Sequence, residues 1–189
     1  MNVTIKRLID PEEMVPAMRV TRGKAMLAVP KKPSLELWHK MIISQHSSHR
    51  VVVYRVFCED VPYFAHVHFV RHNLGVQFHV KSQRSEKDRD NIPQGALIDM
   101  FFDANVQALI HIEQARLCYK ADAAAQALMQ KIKYALILEG DEYDRVLGNL
   151  LMKPCQWYPG YCSEPSPCGR VTNITKLVDL HQQALKKEK

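Results

Sequence analysis

At 189 residues, of which 47% are hydrophobic, the chain is long enough to bury the core of one domain. No stretch approaches the length of a membrane span, and the opening MNVTIKRLID lacks the apolar centre of a signal peptide, so no membrane association and a cytoplasmic location are expected. A formal charge of +6 and a pI near 9.1 suit a polyanionic ligand or nucleic acid without choosing between them, because much of the excess lies in the terminal KKEK and in scattered Lys and Arg.

The alternation of VTIKRLI predicts a strand over 3–9. A breaker at Pro30 to Pro33 precedes Ser34, which is placed to cap a helix running to about Ser44, with Leu35, Leu37, Trp38 and Met41 on its apolar side. HRVVVYRVFCEDVPYFAHVHFV reads as two apolar strands, at about 50–58 and 62–71, joined by a turn. On such a strand His66 and His68 share a face, an H-x-H pair that either lines a pocket or makes half of a cupin-like metal site. Helices are expected at about 94–118, 121–138, 141–152 and 173–186. Strands come early and helices dominate the C-terminal half, which makes the class α+β.

Polar groups concentrate between Arg71 and Arg89: Arg71, His72 and Asn73, then Ser82, Gln83 and Arg84, then Arg89. Cationic forks beside an apolar strand suit an anion, since guanidinium geometry matches phosphate or the carbonyl edge of a base. The alternative is a solvated loop, because KSQRSEKDRD is highly charged throughout. In a helix beginning near Gln94, Asn105 and Arg116 fall on nearly the same face, about 16 Å apart, with Leu109 and Ile112 between them. That suits a long ligand lying across the face; the alternative is an ordinary amphipathic helix whose Arg116 snorkels to solvent.

The arrangement of Arg71, His72, Ser82 and Arg84 resembles the signature of the flavin-dependent thymidylate synthases, Arg-His-Arg, seven residues, then Ser-x-Arg. Asn73 stands where the family has its third basic residue, and one extra residue precedes Ser82. RDNIPQGALIDMFFDANVQALIHIEQAR (89–116) lies without a gap on a helical segment of that family, matching its Arg and Pro at Arg89 and Pro93 and its aromatic pair and Asn at Phe101, Phe102 and Asn105. His49, in SQHSSH, corresponds to a flavin-contacting His. The resemblance covers about residues 44–118. Val80 replaces a family Glu, with His79 beside it, His68 replaces a nucleotide-contacting Gln, and a helical insertion between Arg84 and Arg89 is short.

This resemblance implies a small antiparallel sheet with flanking helices. It implies FAD held by His49, Arg71, His72, Asn73, Asn105, Gln107 and His111. It further implies dUMP or a related pyrimidine nucleotide bound by His68, Ser82, Gln83, Arg84, Arg89 and Arg116, with Arg116 and Ser82 at the chemistry. The implied reaction transfers a one-carbon unit to uracil C5, using methylenetetrahydrofolate and NADPH, in a homotetramer. The departures around the site leave room for a related pyrimidine modification.

KPCQWYPGYCSEPSPCGR adds Cys155, Cys162 and Cys168 in a stretch rich in Pro and Gly that cannot bury much of itself. In a reducing compartment, clustered thiols suggest a metal, zinc or an iron–sulfur cluster, with Cys118 as a fourth ligand. The spacing lacks a C-x-x-C hairpin, so packed or free thiols remain the alternative, and Cys58 reads as core. The expected organisation is a flavin- and nucleotide-binding domain over 1–152, a Cys- and Pro-rich segment over 153–170, and a C-terminal helix over 171–189. A second reading, from another class, is a non-catalytic nucleotide- or nucleic-acid-binding protein on the same fold with a Cys-ligated zinc.

Overall fold

A computed structural model describes residues 1–25, 31–82, 91–171, 175–176, 179 and 183. Strands β1 (Asn2–Ile9), β2 (Val53–Pro62), β3 (Val76–Val80) and β4 (Leu97–Asn105) form an antiparallel sheet in the order β1-β2-β4-β3. Because side chains alternate along a strand, each strand divides its residues between two faces. Tyr54, Val56 and Cys58 of β2 and Ile98, Met100, Phe102 and Ala104 of β4 point into the core. The opposite face carries the Phe57–Phe101 pair, His79 stacked on Phe101 at 4.5 Å, and a two-pronged Arg55–Asp103 ion pair at 2.7 Å.

Helices close the inner face: α1 (Met14–Thr21), α2 (Leu35–Ile43), α3 (Tyr63–Val70), α4 (Val106–Arg116), α5 (Ala123–Leu138) and α6 (Glu142–Leu150). Trp38 and Ile42 from α2, Leu109, Ile110 and Ile112 from α4, and Leu128, Met129 and Ile132 from α5 are completely buried. Ser34 caps α2 by accepting from the Leu37 amide at 3.2 Å, and the Trp38 indole donates to the Tyr143 carbonyl at 3.0 Å, tying α2 to α6. Arg7, on the inward side of β1, binds Asp10, Asp141 and Asp144, while the Tyr54 hydroxyl donates to Asp144 at 2.8 Å. That guanidinium holds the Asp141 carboxyl down at about 2. Among the described residues no helix is long and apolar enough to cross a membrane.

Two elements differ from the sequence expectation. The strand expected over 62–71 is a helix: Pro62 ends β2 and is the N-cap of α3, whose first amides, Tyr63 and Phe64, donate to the Ala96 and Gln94 carbonyls. A short, wholly apolar run has the same hydrophobic signal in either conformation. Here Ala65, His66 and Phe69 are buried at helical spacing. His66 and His68, two residues apart on a helix, therefore point in different directions, which removes the cupin-like pair. The expected helix over 94–118 is a strand in its first half. LIDMFFDAN alternates buried and outward residues as β4, and the helix begins only after Asn105.

Strand β3 and helix α1 were not foreseen. The terminal helix expected over 173–186 falls largely outside the described residues, and Thr175–Lys176 (β6) instead pairs in parallel with Tyr161–Cys162 (β5). The chain between them and α6 contains one short helix, α7 (Pro154–Trp157).

Candidate functional site

Helix α4 organises the polar residues. Asn105 serves as its N-cap, its carboxamide oxygen accepting from the Ala108 amide at 2.9 Å, and its backbone N–H donates to the Gly75 carbonyl at 3.0 Å. Gly75 has φ of 75°, and a Cβ there would stand 2.5 Å from the Asn105 side chain, so only glycine permits this approach. Leu109 and Ile112, expected as an apolar stripe under a ligand, are fully buried in the core instead. Helical spacing places Gln107, His111 and Gln114 along one side of α4, with Arg116 in its last turn.

The first polar group is a chain of hydrogen bonds through the buried His49. Its Nδ1 lies 3.0 Å from the Met41 carbonyl and its Nε2 lies 3.1 Å from the Gln107 carboxamide. Gln107 reaches Gln45 at 2.8 Å and His111 Nε2 at 2.9 Å, and Gln45 reaches the Tyr158 hydroxyl at 3.1 Å. With the Gln107 oxygen toward His49, both His49 nitrogens would have to donate, which requires a charged ring. Burial pushes the His49 pKa down and disfavours that charge. A half-turn of the Gln107 and Gln45 carboxamides resolves the conflict. Neutral His49 then donates from Nδ1 to Met41 and accepts at Nε2 from Gln107, whose oxygen receives hydrogen bonds from Gln45 and His111. Gln45 takes φ of 49°, a left-handed conformation that costs a non-glycine residue on the order of 1 kcal/mol or more.

The second group is cationic. Following α3, Arg71 and His72 approach the end of α4: burial, then the charges of Arg116 and His111, pull His72 down to about 4. His72 is therefore neutral near pH 7. Burial and the neighbouring Arg71 lower the Arg116 pKa, although a guanidinium keeps its charge. His72 Nε2, Gln114 Nε2 and Arg116 Nε are buried and have no protein hydrogen-bond partner. Such orphaned polar atoms call for a ligand, because leaving them unpaired costs about 1–3 kcal/mol each. His111 joins both groups, being bonded to Gln107 and electrostatically coupled to His72.

A cleft of about 680 Å³ opens beside them, walled by His111 and Gln114 on one side and by Pro154, Tyr158, Tyr161 and Glu164 on the other. That volume lies within the range of sites for cofactors and nucleotide-sized molecules. Sequence reading missed Gln45, Gln114, Tyr158 and Tyr161. Gln114 was legible as the residue one helical turn beyond His111, whereas Gln45 and the tyrosines depend on tertiary folding.

The other expected residues divide into three sets. Of the described residues expected to hold flavin or nucleotide only His111 lines this cleft; His49, Arg71, His72, Asn105, Gln107 and Arg116 lie off it, as do Ser82, after β3, and His68, on α3, while Asn73 is exposed. Gln83, Arg84 and Arg89 lie outside the described residues. Cys118, Cys155, Cys162 and Cys168 surround a separate cavity of about 20 Å³ that adjoins the cleft, sharing Pro154, Cys162, Ser163 and Glu164 with it. All five cysteines are free, and among the described residues no three His, Cys, Asp or Glu side chains are already placed to hold one metal ion.

No family model and no curated protein sequence matches this chain. Solved structures do. Helicobacter pylori thymidylate synthase X with FAD and dUMP superposes with a TM-score of 0.64 at 16% identity, covering 80% of this chain and 98% of that one. A second structure of H. pylori flavin-dependent thymidylate synthase ThyX complexed with FAD and dUMP gives 0.67 at 15%, covering 81% and 100%. The fold is that of the flavin-dependent thymidylate synthases. The UMP/dUMP methylase PolB from Streptomyces cacaoi, bound with 5-Br dUMP, has a TM-score of 0.59 at 11% identity, with 78% and 95% covered. At such identities the likeness to ThyX and PolB is one of fold. It accounts for the four-stranded antiparallel sheet and flanking helices and leaves the chemistry to be argued from the residues.

Proposed function

We propose that this chain is an enzyme that binds FAD and a uridine nucleotide and transfers a one-carbon unit to uracil C5. The observation that carries this reading is the set of buried, unpartnered polar nitrogens of His72, Gln114 and Arg116 beside Arg71, on a ThyX fold and next to a cleft of suitable volume. Two guanidiniums suit phosphate oxygens, and a neutral imidazole and a carboxamide suit the heterocycle edges of a flavin or a pyrimidine. In this reading Arg71, His72, Gln107, Gln114 and His111 hold the flavin, and His49 and Gln45 fix the Gln107 carboxamide. FAD, when bound, supplies hydride chemistry that no side chain can supply; NADPH would recharge it, and methylenetetrahydrofolate would give the carbon.

The remaining work belongs to the protein. Arg116 lies against a pyrimidine carbonyl and neutralises the negative charge that develops there as C5 becomes nucleophilic, an effect worth about 3–4 kcal/mol in a water-poor site. A new C–C bond at C5 releases the C5 hydrogen as a proton. The orphaned donors are fixed before the ligand arrives, which lowers the ordering cost of the reactive geometry. Tyr158 and Tyr161 form the far wall of the cleft and limit access of water. The arginines of the 83–90 stretch, Arg84 and Arg89, together with Ser82, Gln83 and His68, belong to the nucleotide side of this proposal. An assembly of several subunits, as a homotetramer, would complete that side.

Release of tritium from dUMP labelled at C5 tests the reading. Arg116→Lys keeps the charge but loses the fork, and should reduce release by about 100-fold or more with the thermal transition unchanged. Equal rates in the variant and the parent protein would remove Arg116 from the reaction. Absence of any release from the parent protein, with FAD and nucleotide both bound, would favour the non-catalytic binding reading.

A further inference from the structure

We propose that Cys118, Cys155, Cys162 and Cys168 bind a single zinc ion that staples the 153–170 segment against the end of α4. Four thiols from two stretches of the chain, Cys118 beyond α4 and the three of the 155–168 segment, line one cavity. Cys118 stands just beyond α4, Cys155 on α7, Cys162 on β5, and Cys168 in the loop that follows. Chance clustering of all four non-core cysteines of a chain that has five is improbable, and thiolates are the ligands that favour zinc.

Three further observations support an ion there. First, none of residues 152–171 is fully buried and only Met152 and Trp157 lean on the core, so the Cys-bearing part beyond Trp157 has no apolar packing of its own, the circumstance in which small segments rely on a metal. Second, a zinc tetrathiolate carries two net negative charges, and cations stand ready around the cavity. Lys120 and Lys153 line it, with Lys153 Nζ 3.6 Å and the Arg170 guanidinium 4.1 Å from the centre of the Tyr119 ring. Third, the cavity of about 20 Å³ has room for roughly one water-sized particle, which fits one ion and not a four-iron cube.

The thiols are not yet at ligand spacing, so they must draw inward when the ion arrives. The backbone permits this: Gly160 and Gly169, with φ of 86° and 75°, turn the chain sharply beside Cys162 and Cys168 and have no neighbour within 4 Å of where a Cβ would stand. Pro154, Ser163 and Glu164 line both the thiol cavity and the larger cleft, so the ion would fix one wall of that cleft. The inference holds whether or not the cleft takes a flavin.

Elemental analysis of the full chain, produced with zinc supplied and purified without chelator, tests it. About one zinc per chain is expected. Replacement by Co²⁺ should give thiolate charge-transfer bands and intense visible bands of a tetrahedral site. Cys168→Ser, at the exposed ligand, should weaken zinc retention at least 10-fold while the FAD-free fold persists by circular dichroism. Iron with sulfide, intramolecular disulfides by mass, or thiols that react with a labelling reagent at the same rate with and without added zinc would each overturn the proposal.

Discussion

Helix α4 and the segment that follows α6 face each other across one cleft, yet they are held by opposite means. Of the eleven residues of α4, seven are buried, whereas none of residues 152–171 is. The first wall is fixed by hydrophobic burial and tolerates unpaired donors because the core around it is already stable. The second leans on the core only through Met152 and Trp157 and otherwise depends on individual polar contacts, such as Tyr158 with Gln45 and Lys120 with the Ser166 carbonyl at 2.8 Å. A site built between a rigid wall and a weakly held one can admit a large ligand and then close around it.

The comparison can be broken at three levels. Trp38→Ala empties a fully buried position and removes the Tyr143 hydrogen bond; it should cost about 3–5 kcal/mol of global stability, read from denaturant unfolding. A cost below about 1 kcal/mol would mean that the core does not carry the first wall.

Glu113 gives an intermediate effect whose size grows with pH. Its carboxyl is completely buried with neither oxygen partnered, and burial pushes it up to about 9 against the opposing pull of Lys133. A carboxyl raised in the folded state contributes fully below its ordinary 4.5, and that contribution is lost as pH rises through 9. Glu113→Gln should therefore match the parent protein near pH 4 and exceed it by about 3 kcal/mol near pH 7. Equal pH profiles would show that Glu113 finds a partner in solution.

The smallest effect belongs to the second wall. Tyr158→Phe deletes the hydroxyl that meets Gln45 and should change global stability by less than about 1 kcal/mol, while amide exchange in 153–170 rises. Loss of cooperative unfolding in that variant would show that the segment is part of the core after all.

Much of this was legible in the sequence where one physical signal dominated. The Ser34 cap, the alternation of β1 and the long apolar period of α5 gave their elements directly. LIDMFFDAN also alternates, with Asp99 and Asp103 between buried residues, a strand signal that the resemblance of 89–116 to a family helix opposes. YFAHVHFV was ambiguous in principle, being apolar throughout. In the site, helical spacing linked Asn105 and Arg116, and the family resemblance added Gln107 and His111. The convergence of Arg71 and His72 on α4, and the chain from His49 to Tyr158, depend on how β2, α3 and the late segment fold together, which no local pattern encodes.

The central claim is that the orphaned donors beside α4 belong to a flavin and nucleotide site, and an absorbance titration of the purified protein, with FAD added first and dUMP second, tests it most directly. Saturable shifts of the flavin bands, followed by a further shift with dUMP that is lost in Arg116→Lys, are expected. Flavin bands that stay those of free FAD at saturating concentration would show that His72, Gln114 and Arg116 serve another ligand.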